Sequence, residues 1–380
     1  MTVWQSLVGQ QPTIDLLSRI AQNPAGIAQS WLICGPPGSG RSNMARAFAA
    51  ALECPDHGCG ECNTCRHVLA NTHPDVTVLA TDKVTIGIDA VRGLIDTSEQ
   101  MPSTAPWRII IIEDVDRMLE RTTNVLLKEI EEPAEHTIWL LCAPSAQDVL
   151  PTIRSRTRVI NLAVPSNQAV AAFLTETVGA DPHTAKRAAR LAEGHIGIAK
   201  LYATDEQVMS DRDTLIVGVL NLAKASDAVL LADQLIGDAK SQAEAEVNRQ
   251  VQREQESFRR INGLGDKERV PAKIRGAYNA IGKKEEVRRR ATRRSRDVLD
   301  RALNSIASVY RDVSVLQNNA EQSVGLINVE NRTAIANMAS GMTREAAIAR
   351  MDQITVARKR LAGNGNPLLV FEALFCALLP

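Results

Sequence analysis

Five short apolar runs set the rhythm of the first 160 residues: "SWLIC" (30–34), "DVTVLA" (75–80), "RIIIIED" (108–114), "TIWLLCA" (137–143) and "TRVINLA" (157–163). Each is nearly continuous in β-branched residues and leucine, without the in–out alternation of a sheet that shows one face to water. They predict buried strands. Between them the period changes: "SNMARAFAAALE", "IGIDAVRGLIDTSEQM" and "NVLLKEIEEP" carry helical spacing, and Pro133 stops the last. Strand and helix alternate, which predicts an α/β fold with a doubly wound parallel sheet.

After residue 163 the strand signal fades. "NQAVAAFLTETV", "DPHTAKRAARLAEG" and "HIGIAKLYA" read as three helices, with Asp181 placed to cap the second. They are too few for a large core, so residues 164–207 predict a small helical lid on the 1–163 domain. From 208 to 380 everything reads as helix, an all-α domain. Within it, residues 239–300 stand apart, dense in Glu, Arg, Lys and Gln and interrupted by "INGLGDKERVP".

Composition adds bounds. With 44% hydrophobic residues in a chain of 380, globular cores are expected. The formal net charge is zero, so any contact with nucleic acid must be local. No run approaches the roughly 20 apolar residues of a membrane helix. The opening "MTVWQSLVGQQ" lacks a secretory pattern, so a cytoplasmic protein without membrane contact is expected. In "KKEEVRRRATRRSR" (283–296) eight basic residues face only Glu285 and Glu286. This is either a phosphate-binding patch or a solvated helix laced with acid–base pairs; the acidic residues just upstream favour the second.

Candidate chemistry begins at "CGPPGSGRSN". Gly35, Pro36, Pro37, Gly38, Ser39, Gly40, Arg41 and Ser42 follow the phosphate-loop pattern G-x-x-x-x-G-K-[ST] except at Arg41. A strand before and a helix after give such a loop its context. Backbone N–H groups and the helix N-terminus would hold phosphates, with the Ser42 hydroxyl placed for Mg²⁺. Arginine puts a planar fork where the pattern wants a compact point charge, so the exchange is not conservative. A glycine turn that merely packs strand on helix is the plain alternative. Glu113 and Asp114 close the third run, suited to a metal and a base, although acidic pairs are common at strand ends.

Cys54, Cys59, Cys62 and Cys65 form a C-x4-C-x2-C-x2-C cluster, with glycines at 58 and 60 to turn the chain. Four thiolates so spaced can converge on one tetrahedral Zn²⁺ in a structural role. An iron–sulfur cluster and unliganded thiols are the competing readings. His57 and His67 lie close enough to act behind the ligands, but surface histidines are the simpler expectation. Cys34, Cys142 and Cys376 sit in apolar surroundings and are expected to be buried.

Taken together, "VWQSLVGQ", "GPPGSGRS", the cysteine cluster, "NTHPDV", "IIIIEDVDRM", "NVLLKEIEEPAEHTIWLL" and "LPTIRSRT" resemble the clamp-loader subunits of bacterial DNA polymerase III, of the δ′ type. "EGHIGIAKL" and "GNPLLVFEALFCAL" look similar too. The likeness is close over 1–205 and otherwise lies in helical character. It implies an AAA+ module with lid, then a collar domain through which five subunits form a ring. It also implies zinc at the cysteine cluster.

Against the family's γ/τ motor subunits, four departures fall on one reaction. Lysine is replaced by Arg41, and Asp-Glu by Glu113-Asp114 in reversed order. The γ-phosphate-sensing threonines give way to Ala143 and Pro144, and Gly197 stands at the lid's sensor arginine. ATP and Mg²⁺ binding is therefore doubtful. One motif keeps its arginine: "IRSRT" resembles the family's Ser-Arg-Cys motif with Thr157 in the cysteine position, implying that Arg156, beside Ser155, serves a neighbouring subunit's ATP as an arginine finger. Solvated edge arginines at 154, 156 and 158 are the bland alternative. The expected function is a non-motor subunit in a hetero-oligomer with γ/τ and δ, loading the β sliding clamp onto primer–template DNA. The alternatives are a γ/τ-type ATPase and a scaffold that binds ATP without cleaving it.

Overall fold

Alternate residues of the central strands go to opposite faces of a five-stranded sheet, and both faces are covered. A computed structural model describes residues 2–23, 26–81, 85–265 and 268–380, so Asp266 and Lys267 of the "INGLGDKERVP" interruption lie outside the described residues. The chain forms two compact units, Met1–Asp205 and Glu206–Pro380.

In the first unit the strands are β1 (Ser30–Cys34), β2 (Val76–Leu79), β3 (Arg108–Ile112), β4 (Thr137–Ala143) and β5 (Arg158–Asn161), in spatial order β2-β3-β4-β1-β5. All pairings are parallel, with Ile33 opposite Cys142 and Ile110 opposite Trp139. The α/β parallel sheet expected from the apolar runs is present. Ile109, Ile111, Ile138 and Leu140 bury one face with Leu17 and Phe48, from α1 (Gln11–Gln22) and α2 (Arg41–Glu53). Ile110, Ile112, Trp139 and Leu141 bury the other with Val91 and Leu126, from α4 (Ile88–Ser98) and α5 (Glu120–Glu131). Period-two side-chain direction on a two-sided sheet is why these runs are apolar throughout. The short helix α3 (Asn63–Leu69) follows the cysteine loop, and α6 (Pro151–Arg154) precedes β5.

The rest of the first unit is α7 (Asn167–Phe173), extended by one π-turn over Leu174–Val178, then α8 (Pro182–Leu191) and α9 (Ile196–Thr204). Asp181 caps α8 as its spacing predicts, accepting from the N–H groups of His183 and Thr184, both at 3.0 Å.

The second unit is helical throughout its described residues: α10 (Glu206–Leu220), α11 (Ala225–Ile261), α12 (Ala272–Ile281), α13 (Lys284–Gln317), α14 (Glu321–Val324), α15 (Arg332–Gly341), α16 (Arg344–Ala362) and α17 (Pro367–Ala377). Leu231, Leu235, Leu303, Ile306, Tyr310, Phe371 and Phe375 form its main core. Beyond that core α11 and the start of α13 run on as an antiparallel hairpin. Arg290 pairs with Glu254 and Arg294 with Glu246, each at 2.9 Å, and Arg301 bonds Gln242 at 2.6 Å. The acid–base lacing favoured for the charged segment is thus present. One expectation fails: Cys34 and Cys142 are buried, but Cys376 is exposed. It lies on the solvent side of α17, whose buried residues are Val370, Phe371, Leu374 and Phe375. Apolar neighbours in sequence do not fix which side of a helix a residue takes. Among the described residues, no helix is long and apolar enough to cross a membrane.

Candidate functional site

β1 ends at Cys34 and the chain turns through 35–40 into α2, a strand–loop–helix arrangement with Gly38 (φ 82°) and Gly40 (φ 90°) in the left-handed region. That backbone is readily reached only by glycine. Ser39 is buried, and its hydroxyl has no partner.

Arg41, at the lysine position, turns back onto its own loop. Its guanidinium donates to the Gly35 carbonyl at 2.6 Å and to Asp114 at 3.1 Å. Asp114 is also paired with Arg117 at 3.2 Å, and Glu113 is paired with Arg46 one turn further along α2. Both carboxylates expected to hold a metal and a base are therefore already neutralised by guanidinium groups. A Mg²⁺ ion held by both carboxylates would have to displace three arginines, Arg41, Arg46 and Arg117, and partly buried charge-assisted pairs resist such exchange. The start of α9 adds a further obstruction. A Cβ on Gly38 would lie 2.1 Å from Cγ of His195, and the Ile196 N–H donates to the Gly38 carbonyl at 3.3 Å. His195 caps α9 through Nδ1, which accepts from the Ile198 N–H at 3.2 Å. The imidazole thus lies directly on the loop. Arg46, His195 and Glu131 escape a reading of the sequence, because their roles depend on partners 67, 157 and 25 residues away.

Ser155 and Arg156 follow α6, apart from the phosphate loop in sequence. Arg156 Nε donates to Glu131 of α5 at 2.9 Å, and Nη1 donates to the Thr152 carbonyl at 3.1 Å and to the Ser155 hydroxyl at 3.3 Å. The side chain remains about one-third exposed, at 35%. Its neighbour Arg158 behaves differently, resting over the Trp31 ring at 5.0 Å. Arg156 is thus a braced guanidinium presented at the surface, chemically able to meet an anion brought by another molecule.

Cys54, Cys59, Cys62 and Cys65 bring their four Sγ atoms within 4.8 Å of one another, and Cys54 Sγ is 3.7 Å from both Cys59 Sγ and Cys62 Sγ. With Zn–S bonds of about 2.3 Å, a tetrahedral site has S···S edges of roughly 3.8 Å. The four cysteines can therefore bind a metal, and their spacing fits zinc. The Cys62 and Cys65 N–H groups point at the sulfurs of Cys59 and Cys62, both at 3.4 Å, an arrangement that stabilises thiolate. Burial pushes the Cys54 thiol up, but the N–H groups of Cys59, Gly58 and Asp56 outweigh it and hold it at about 7. His57 (φ 53°), Gly58 (φ 100°) and Gly60 (φ 79°) supply the left-handed turns. Among the described residues no fifth Cys, His, Asp or Glu joins the four, and four thiolates complete a tetrahedron suited to structure rather than catalysis.

Residues 9–166 match the family described as DNA polymerase III, delta subunit. A stretch of 203 residues is 29% identical to the DNA polymerase III subunit δ′ of Pseudomonas aeruginosa, covering 52% of this chain and 62% of that one. Over about half of its length the chain is thus similar to a DNA polymerase III δ′ subunit. A second relative is the γ/τ subunit of Mycobacterium tuberculosis, 33% identical over 156 residues, 40% of this chain and 27% of that protein. The chain thus spans less than two thirds of the length of these relatives. A solved γ-subunit-related protein of Thermotoga maritima overlays 96% of the chain and 98% of its own, with TM-score 0.45 and 17% identity. The matched residues 9–166 take in the phosphate loop, the cysteine cluster and Arg156.

Proposed function

We propose that this protein is a non-motor, δ′-like subunit of a DNA polymerase III clamp loader. It would complete a ring with γ/τ and δ and help place the β sliding clamp on primed DNA. The observation that carries the reading is the pairing of Asp114 with Arg41 and of Glu113 with Arg46. These pairs turn the carboxylates of a phosphate-transfer site into internal struts, so the chain neither needs nor readily accepts Mg²⁺–ATP. What the subunit gives is Arg156. A guanidinium fixed at a neighbour's nucleotide stabilises charge spreading onto the transferred phosphoryl oxygens. The contacts from Glu131, Thr152 and Ser155 support this by restricting the side chain while leaving it reachable. Zinc at the four cysteines is proposed as a structural ion.

The purified protein alone should show negligible ATPase. Reconstituted with γ/τ and δ, the Arg156→Ala variant should lower DNA-stimulated turnover by about 10³-fold or more at the site it faces. Brisk turnover by the isolated chain would overturn the non-motor assignment. Unchanged turnover in the reconstituted Arg156→Ala complex would overturn the finger.

A further inference from the structure

The hairpin of α11 and α13 is sealed along one edge and open along the other. On the sealed edge Arg290 pairs with Glu254 and Arg294 with Glu246, each at 2.9 Å, and Arg301 bonds Gln242 at 2.6 Å. Along the other edge runs a groove of about 900 Å³. Ile236 and Val251 of α11 and Val287, Ala291 and Leu299 of α13 line its length. From residue 236 to 255 it follows α11 for roughly 28 Å, about five turns. Its inner end is marked by Pro367, the first residue of α17. From there α17 runs on over the base of the hairpin, where Val370, Phe371 and Leu374 share a core with Leu231, Leu235 and Leu303. A helix of the chain's own thus covers the inner part of this two-helix surface, and among the described residues the outer part stands open.

We propose that this groove receives an amphipathic helix of a partner protein, with its apolar side on the floor and acidic residues at the outer end. Both walls are helices whose backbone groups are bonded internally, so the groove offers no ladder to a strand. An extended peptide would press unpaired N–H and C=O groups onto the apolar floor, whereas a helix arrives with its own satisfied. Charge names the acid. Because Arg290 pairs with Glu254, Lys284 and Arg288 stand at the outer end of the groove, with Gln255. Both cations are exposed, and among the described residues neither has an ion pair. The acids nearest to them in sequence are engaged elsewhere: Glu285 holds Arg289, and Glu286 reaches Arg290 at 3.5 Å. Glu244, the one acid among the described lining residues, lies about 16 Å from Gln255 along α11 and one turn from Lys240. The outer end therefore carries a charge of about +2 that the chain itself leaves unanswered. This surface goes beyond the clamp-loader assignment and depends on neither Arg156 nor the metal.

The test is fluorescence anisotropy of the full chain with a labelled helical peptide of about 20 residues, which spans about 30 Å, the length of the groove. It carries leucines at helical spacing along one side and four glutamates flanking them in its first two turns; a second peptide has lysine at the glutamate positions. The glutamate peptide should bind saturably, and Lys284→Glu/Arg288→Glu should weaken it about 10-fold while taking the lysine peptide more tightly than the native chain does. Ala291→Gln puts a longer polar side chain on the floor and should also weaken the glutamate peptide about 10-fold. Arg289→Glu, a charge reversal outside the groove, should change its affinity by less than about 2-fold at physiological salt, where screening acts within about 8 Å. Glutamate and glutamine are good helix formers, and far-ultraviolet circular dichroism checks that the hairpin persists; should the double variant lose helix, Arg288→Gln alone should weaken binding about 3-fold. No binding of the glutamate peptide, a native chain that prefers the lysine peptide, or indifference to Ala291→Gln would each overturn the proposal. Self-association of the chain that Ala291→Gln abolishes would place a second copy in the groove and overturn it as well.

Discussion

Replacing Cys65 by serine should cost the first unit both its metal and much of its stability. Cys65 is fully buried, and Cys54 is buried with it in the core that also holds Val3 and Val68. The cysteine loop reaches the start of the chain through the Val3 N–H, which donates to the Gly58 carbonyl at 3.1 Å. A Cβ on Gly58 would sit 2.8 Å from Cγ2 of Val3, so the two segments are in close contact. With one ligand gone, nothing covalent or ionic holds the left-handed turns at His57, Gly58 and Gly60, and the loop undocks. Losing the burial of Val3 and Val68 alone forfeits about 3–6 kcal/mol. For a unit of this size each kcal/mol moves the melting temperature by about 2–4 °C, so a fall of about 6–24 °C is expected. Metal analysis should find one zinc per chain in the native protein and none in Cys65→Ser. Differential scanning fluorimetry should show the same fall in native protein stripped by a chelator. Melting within 2 °C of the native protein after full removal of the metal would refute the structural role, and iron in place of zinc would refute the identity of the ion.

Other outcomes follow from contacts of the same kind. In the reconstituted complex Glu131→Gln should slow turnover by less than about 10-fold, because an exposed pair contributes about 0.2–1 kcal/mol; a loss matching that of Arg156→Ala would mean that Glu131 does more than brace the finger. Arg41→Lys restores the usual phosphate-loop lysine but should not restore ATPase in the isolated chain, since Arg46 still holds Glu113 and Arg117 still holds Asp114. Asp75 is fully buried; burial would raise its carboxyl, yet hydrogen bonds from Ser103 and Thr104 hold it at about 2, below its ordinary 3.8. A depressed folded-state value means stability present above pH 3.8 and lost as pH falls through about 2. Asp75→Asn should therefore lower stability by about 2 kcal/mol at neutral pH, with the two urea midpoints converging near pH 2. Asp312, fully buried in the second unit, accepts from the N–H groups of Ile327 and Asn328 at 3.0 and 2.7 Å. Asp312→Ala takes the carboxylate from those N–H groups and leaves Arg311 only the Gly325 carbonyl, and should cost about 3 kcal/mol in chemical denaturation of that unit.

The sequence by itself determined the sheet, because buried parallel strands need unbroken apolar runs and tolerate little else, as "RIIII" and "TIWLL" illustrate. It also determined the cysteine loop, whose ligands all fall within 12 residues and whose turns need left-handed backbone at fixed places. The Asp181 cap was legible for the same reason: its partners are two and three residues away. The state of the phosphate loop was not. Arg41 announced a departure, but only the tertiary fold turned its guanidinium onto Asp114, set Arg46 against Glu113 and laid His195 on Gly38. Folding likewise decided that Arg290 and Arg294 of α13 pair with acids of α11, and it put Cys376 on the outside of α17. Local pattern fixes backbone conformation because its causes are steric and close in sequence. The partner of a long charged side chain is chosen by whatever the fold brings within 3 to 4 Å of its tip, and that neighbour can come from anywhere along the chain.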